Sequence, residues 1–197
     1  MLTESHFHAP WWARNPHLQT ILPKWLRRSP ARFTPERFEL ADGDFVDLAW
    51  SGPISPDERP LLVLFHGLEG SIHSHYAKGL FAHLQRQGDE AVLMHFRGCS
   101  GEPNRLLQAY HSGAIEDAQA LIAELGRRFP GKPMIAIGYS LGGNMLVNLL
   151  ALACPKELKA AVVISAPLQL DSCADRVNQG FSRVYQNYLL RTMRHNL

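Results

Sequence analysis

Residues 134–153, MIAIGYSLGGNMLVNLLALA, decide the fold. The first six are mainly apolar, as in a buried strand, and the last thirteen have the apolar content of a helix. Ser140 separates the two, with Gly138 and Gly142 two positions away on either side. Small residues there let the backbone pass through a tight strand-to-helix turn, so that Ser140 projects its hydroxyl at the helix N-terminus. The alternative interpretation is an ordinary glycine-rich turn with a serine cap.

Strand and helix patterns alternate along most of the chain. The predicted strands are Leu61–Phe65, Ala91–Phe96, Met134–Tyr139 and Leu158–Ser165, all read as buried, with a hairpin over Phe38–Trp50 that turns at Asp42-Gly43-Asp44. The predicted helices have apolar faces at Tyr76, Leu80, Phe81 and Leu84 (ending at Gly88), at Ala118, Leu121, Ile122, Leu125 and Phe129 (capped by Ser112), and over Leu141–Ala153. This alternation predicts an α/β fold with a mostly parallel sheet and helices on both faces.

Three regions are predicted. Residues 1–36, rich in Pro, Trp and Arg, form an extended N-terminal arm, and residues 37–167 form the core. Residues 168–197 are predicted to be amphipathic and to begin a cap region; Phe181, Val184, Tyr185, Tyr188, Leu189 and Met193 share its apolar face.

Bulk composition narrows the function classes. A net charge of +2 over 197 residues, with scattered basic residues, argues against nucleic-acid binding. The three cysteines are widely spaced and lack a CxxC pair, which indicates a reducing, cytoplasmic location rather than a disulfide framework. No signal peptide or membrane-spanning run is expected. We expect no cofactor and no metal.

A second motif follows the strand Leu61–Phe65. In His66-Gly67-Leu68-Glu69-Gly70, the N–H of Leu68 is the candidate second donor, beside that of Leu141, for the oxyanion that forms when Ser140 attacks a carbonyl. An ordinary glycine-containing exit from a strand remains the alternative.

These motifs resemble the alpha/beta-hydrolase superfamily. Four segments resemble its YheT-like esterases (AB hydrolase family 4) more narrowly: Asn15–Thr20, His66–Gly70, Phe96–Gly101 and Gly138–Asn144. The resemblance implies a carboxylic-ester hydrolase acting on a small-molecule ester of a short or medium acyl chain. It also implies Ser140 as the nucleophile, Leu68 and Leu141 as oxyanion donors, and His66, Gly67, Gly138 and Gly142 as motif support.

Members of this superfamily place the acid of a Ser-Asp-His triad after a seventh strand and the base after an eighth. The predicted strands here end with the sixth, so we expect a truncated fold lacking the last two strands, and impaired activity. Asp171, Asp175 and His195 follow Ser140 in the right order, but no strand precedes His195 to fix it beside Ser140. A catalytically inactive binding protein is the alternative function. In a fold that lacks the last two strands, Leu158–Ser165 would form an exposed edge that permits self-association.

Other candidates are weaker. The pairs His6/His8 and His73/His75 lack the further ligands of a closed metal site. His111 and Asp117 are expected to be structural, and Cys99 to be a loop thiol. The aromatic and basic residues of the arm, Trp11, Trp12, Trp25, Arg27 and Arg28, are expected to pack on the core rather than dock on a lipid surface.

Overall fold

The computed structural model describes residues 4–26 and 30–195, with only the backbone of Lys24, Trp25 and His195. Its strands are β1 (Thr34–Glu39), β2 (Phe45–Trp50), β3 (Leu61–Phe65), β4 (Glu90–Met94), β5 (Met134–Tyr139) and β6 (Leu158–Ile164). Its helices are α1 (Pro16–Leu26), α2 (His75–Gln87), α3 (Glu116–Arg128), α4 (Leu141–Leu152), α5 (Leu170–Val177) and α6 (Arg183–His195), with 3-10 turns at Trp11–Ala13 and Gly180–Ser182. Among these, no helix has the length and apolar content needed to cross a membrane.

The strands form one sheet in the order β1-β2-β4-β3-β5-β6. The β1–β2 hairpin turns at Gly43, whose φ of 85° suits a glycine, and β2 runs antiparallel to β4. The remaining pairs, β3 with β4, β3 with β5 and β5 with β6, are parallel. The predicted fold class is thereby confirmed: a mostly parallel sheet of the alpha/beta type.

Helices cover both faces of the sheet. Successive side chains of a strand point to opposite faces, so Val63 and Phe65 pack with α3 and α4, whereas Leu64 packs with α2. Helix α2 ends where Gly88 adopts the left-handed conformation, as its sequence predicts.

Three local predictions are wrong. Ser112 does not cap α3, because that helix begins at Glu116. The carbonyl of Ser112 instead accepts a hydrogen bond from the Asn148 side chain. The arm is not extended, because residues 16–26 are helical despite Pro23. The single amphipathic C-terminal segment is two helices, and Phe181 lies in the 3-10 turn between them. Each error arises where local propensity gives little signal.

The packing of the arm also differs from expectation. Trp11 is 80% exposed and Trp12 is 53% exposed, so neither side chain fixes the arm to the core. His17 instead contacts the C-terminal segment, with its Nδ1 3.0 Å from the Tyr185 hydroxyl and its ring on Phe181. Further along the arm, Ala31 and Phe33 pack on the core. The Trp25 side chain, Arg27 and Arg28 lie outside the described residues.

A buried ion cluster joins the hairpin turn to the parallel strands. The Arg97 side chain, just after β4, contacts Asp42, Asp44 and Asp117 at 2.8, 3.1 and 2.7 Å. Asp44 is fully buried, and one of its oxygens also accepts from the N–H of Phe45 and the side chain of Asn104. Burial alone would raise the pKa of Asp44, but hydrogen bonds, above all from the Arg105 N–H, outweigh it and hold that pKa below its usual value.

The apolar run of β6 was read as a buried strand, whereas a fold lacking two further strands was expected to leave it at an exposed edge; in the chain described, β6 lies at the edge. It pairs with β5 alone, and its residues from 159 to 163 are exposed, with Val162 at 46% and Val163 at 38%. An edge of this kind presents unpaired backbone groups beside an apolar row, which is a template for pairing with another chain.

We therefore expect the 197-residue chain to self-associate through β6. Size-exclusion chromatography with light scattering should show dimers or larger species, and Val162→Lys should shift them towards monomer because a charge disfavours edge pairing. The control is Val147→Lys, at an exposed valine on α4. A monodisperse wild-type monomer would contradict the expectation.

A second prediction concerns Asp44. Asp44→Ala leaves Arg97 and several buried N–H groups undercompensated and should lower the free energy of unfolding by about 3 kcal/mol. Because the folded pKa is depressed, the stabilisation is fully present above about pH 4 and is lost progressively as pH falls towards the folded pKa, so the difference between wild type and variant should be smaller at about pH 3 than at about pH 7. Urea unfolding of wild type and variant at about pH 7 and about pH 3 measures the loss of free energy of unfolding and its dependence on pH.

The control for this prediction is Glu102→Ala. Glu102 pairs with Arg37 at an exposed site, where water screens the interaction, so a much smaller loss is expected at either pH. Equal losses for Asp44→Ala and Glu102→Ala would show that the buried cluster contributes no more than a surface ion pair.

Candidate active site

Ser140 occupies a strained turn between β5 and α4. Its φ is 51° and its ψ is −117°, a conformation that L-residues rarely adopt, and its side chain is exposed. Its N–H donates to the carbonyl of Ile164 at the end of β6, and its carbonyl accepts from the N–H of Asn144 in the first turn of α4. These bonds to the edge strand and the helix hold the serine above the sheet.

The two glycines of the Ser140 motif are required by space. A Cβ on Gly138 would lie 2.6 Å from the carbonyl oxygen of Gly142, well inside van der Waals contact. A Cβ on Gly142 would lie 2.6 Å from the carbonyl oxygen of Phe65 and collide with that of His66. The turn therefore packs backbone against backbone on the end of β3.

The loop after β3 lies beside this turn. In the parallel β3–β5 pair Phe65, the last residue of β3, is opposite Gly138. A Cβ on Gly67 would meet the Ser140 Cβ at 3.1 Å and its Oγ at 3.7 Å. The residues predicted to donate to an oxyanion, Leu68 and Leu141, thus each adjoin a residue that takes part in the contact between the two motifs.

Backbone hydrogen bonding singles out Leu68 within its loop. The N–H of Gly67 donates to the Tyr76 hydroxyl at 2.9 Å, that of Glu69 to the Tyr110 hydroxyl at 2.8 Å, and that of Gly70 to the Gly67 carbonyl at 2.9 Å. Within the described part of the chain neither Leu68 nor Leu141 donates its N–H to any acceptor. The amide of Leu141, next to Ser140, and that of Leu68, next to Gly67, are therefore unbonded, and an oxyanion donor must be unbonded before the reaction.

His66 is structural in this arrangement. It is fully buried, its Nδ1 lies 2.7 Å from the carbonyl of Gly67, and its Nε2 accepts from the N–H of Phe96 at 3.0 Å. Burial lowers its pKa to about 3, so the ring is neutral, with its proton on Nδ1. With both nitrogens bonded, His66 has no free lone pair to accept the proton of Ser140.

No described side chain supplies a base to Ser140. Its Oγ makes no hydrogen bond within residues 4–26 and 30–195. Asp171 and Asp175 lie on α5 with exposed side chains, and the His195 side chain is outside the described residues. The histidine that a serine hydrolase needs is therefore not among the side chains that the structure places around Ser140.

The remaining sequence candidates lie elsewhere. No group of three or more His, Cys, Asp or Glu side chains with metal-site geometry occurs among the described residues. His111 accepts from the N–H of Gly113, and Asp117 binds Arg97. Burial raises the pKa of Cys99 to about 12, so it is a thiol rather than a nucleophilic thiolate.

Sequence reasoning missed the side chains that hold the loop after β3. Tyr76 was read as an apolar helix position and His95 as part of the strand Ala91–Phe96, although β4 ends at Met94, and Tyr110 lies in an irregular segment with no periodic signal. His95 accepts from the N–H of Ile72 through Nε2, and its Nδ1 lies 2.9 Å from the Asp47 carbonyl. Each contact joins residues distant in sequence, so neither spacing nor propensity could indicate it.

Comparison with known proteins identifies the family of this chain. A family model described as alpha/beta hydrolase fold matches residues 60–197. The chain is 53% identical over 190 residues to the Escherichia coli protein named "Putative esterase YheT", a match covering 92% of the chain and 54% of that protein. It is 31% identical over 151 residues to the yeast "Medium-chain fatty acid ethyl ester synthase/esterase 2", covering 71% of the chain and 33% of that protein.

A solved structure agrees in fold. The Pyrococcus furiosus esterase Pf2001 superposes with a TM-score of 0.59 at 23% identity, over 74% of this chain and 56% of that one. The chain spans about half the length of YheT and a third of the yeast protein. On the family match, with the sheet order and the elbow at Ser140, the chain belongs to the alpha/beta-hydrolase superfamily and is YheT-like.

Proposed function

We propose that this chain carries the nucleophile and oxyanion site of a serine hydrolase acting on carboxylic esters of short or medium acyl chains. The observation that carries the proposal is the strained and exposed Ser140, with the unbonded amide of Leu141 next to it and that of Leu68 next to Gly67, which packs on Ser140. The names of the Escherichia coli relative, a putative esterase, and of the yeast relative, a medium-chain fatty acid ethyl ester synthase/esterase, support the substrate class.

The chemistry follows from these positions. Ser140 Oγ attacks the ester carbonyl carbon as its proton passes to a base, and the carbonyl oxygen becomes an oxyanion that the N–H groups of Leu68 and Leu141 stabilise. Collapse expels the alcohol, which takes the proton from the base, and leaves an acyl-serine. Water attacks this ester through a second oxyanion at the same amides, releasing the acid and restoring Ser140.

The base is the component that the described side chains do not provide. A serine hydroxyl is a weak nucleophile until a neighbouring group accepts its proton. We therefore propose that the Asp and His of the triad are supplied by sequence beyond Leu197 and that the 197-residue chain alone is impaired. A protein of this fold that binds an ester without turning it over is the competing function, and the lack of a described base beside Ser140 favours it.

The test is hydrolysis of p-nitrophenyl acetate and butyrate. Four proteins are compared: the 197-residue chain, the chain completed with the second half of the Escherichia coli relative, and Ser140→Ala and Ser172→Ala variants of the completed protein. Loss of the His alone from a subtilisin-type enzyme lowers turnover by about 10⁶, so the 197-residue chain should be slower than the completed one by several orders of magnitude. Ser172, exposed on α5, is the matched control.

The outcomes separate the competing readings. Activity of the completed protein that disappears in Ser140→Ala and persists in Ser172→Ala supports the proposal. A completed protein that binds ester but does not hydrolyse it supports the binding function. Rapid turnover by the 197-residue chain that Ser140→Ala abolishes would show that its own residues supply the base, with His195 the next residue to substitute.

A further inference from the structure

Two tyrosine hydroxyls bind the amides on either side of Leu68. Tyr76, from the first turn of α2, accepts the N–H of Gly67 at 2.9 Å. Tyr110, from the segment between β4 and α3, accepts the N–H of Glu69 at 2.8 Å. The amide between them, that of Leu68, is left without an acceptor among the described residues. Side chains thus take up the flanking donors and leave the central one available.

The Tyr110 contact fixes a strained residue. Its hydroxyl also donates to Oε1 of Glu69 at 3.0 Å, so the backbone and the side chain of Glu69 bind one oxygen. Glu69 has a φ of 52°, which an L-residue maintains only when its surroundings impose it. The Tyr110 ring in turn stacks on Phe96, with ring centroids 5.0 Å apart and planes within 6°.

Tyr76 links the same loop to the serine turn. Its ring packs against that of Tyr139, with centroids 4.5 Å apart, and Tyr139 immediately precedes Ser140. Burial raises the pKa of both Tyr76 and Tyr110, so both hydroxyls stay protonated and neutral. The loop is therefore attached to the serine side of the site by Tyr76 and to the β4 side by Tyr110.

We propose that Tyr76 and Tyr110 are positioning residues that hold the Leu68 N–H towards the oxyanion. The inference rests on the proposed function and deepens it. A hydrogen-bond donor stabilises an oxyanion only if it is already in place, since reorganisation during the reaction would cost much of the gain. Neither tyrosine needs to touch the substrate, because each acts through the loop backbone.

The first measurement uses the 197-residue chain and does not depend on activity. Hydrogen exchange at single amides is compared in wild type, Tyr110→Phe, Tyr76→Phe and the control Tyr185→Phe, which loses a hydroxyl bonded to His17 instead. We expect exchange to accelerate about fivefold at Glu69 in Tyr110→Phe and at Gly67 in Tyr76→Phe, which corresponds to the loss of about 1 kcal/mol for one amide hydrogen bond. Unchanged exchange at residues 67–69 would overturn the proposal.

The second measurement uses the completed enzyme and separates positioning from loss of folded protein. We compare kcat/KM for a p-nitrophenyl ester with that for its thionoester, whose sulfur accepts hydrogen bonds weakly. Tyr110→Phe should lower ester hydrolysis by about 10-fold to 10²-fold and thionoester hydrolysis much less, since a small misplacement of a donor costs on this scale. A reduced folded fraction lowers both rates equally and leaves their ratio unchanged.

Failure of the two proposals can be told apart. If Ser140→Ala leaves ester hydrolysis by the completed enzyme intact, or no hydrolysis occurs, the proposed function fails and the exchange data alone decide whether the tyrosines hold the loop. If hydrolysis depends on Ser140 but the ester-to-thionoester ratio in both tyrosine variants equals that of Tyr185→Phe, the positioning role is wrong.

Discussion

Close backbone contact between the turn at Ser140 and the end of β3 is the constraint on which the site depends. A Cβ on Gly142 would collide with the carbonyls of Phe65 and His66, and a Cβ on Gly67 would crowd Ser140, so the two motifs approach this closely only because both positions are glycine. The same contact fixes the parallel register in which Phe65 faces Gly138. The pairing of β3 with β5 therefore also sets the geometry of the site. A one-residue slip would turn every β5 side chain to the other face of the sheet.

Backbone strain is concentrated at one edge of this sheet. Glu69, Ser140 and Ser165 have φ values of 52°, 51° and 51°, and each follows the carboxyl end of a parallel strand. Conformations of this kind cost on the order of 1 to 3 kcal/mol each and persist only where neighbouring interactions impose them. At Ser140 the bond to Ile164 does so, and at Glu69 the two bonds to Tyr110 do. The free energy gained by packing the hydrophobic core offsets this strain. The three residues follow strands β3, β5 and β6, which are neighbours in the sheet.

The sequence predicts the core of this fold because its signals are local. Apolar runs at β3 and β5, helical spacing in α2, and the glycines around Ser140 each report their own conformation. The contacts of Tyr110 and His95 could not be predicted, because both bond residues far away in sequence. The apolar run of β6 alone indicated a buried strand, and its exposure followed only from the expectation that two further strands are lacking.

The histidine and tyrosine side chains that hold the loop after β3 are all neutral, and this bears on how the site responds to pH. His66 and His95 each bond through both ring nitrogens, so accepting a proton would break a bond from Phe96 or Ile72, and burial lowers both pKa values. Tyr76 and Tyr110 keep their protons because burial raises theirs. These four side chains therefore keep one protonation state near neutral pH, and the loop keeps its geometry. A rate that titrates in that range reports the base that accepts the proton of Ser140, because the oxyanion donors and their supports stay in one protonation state throughout.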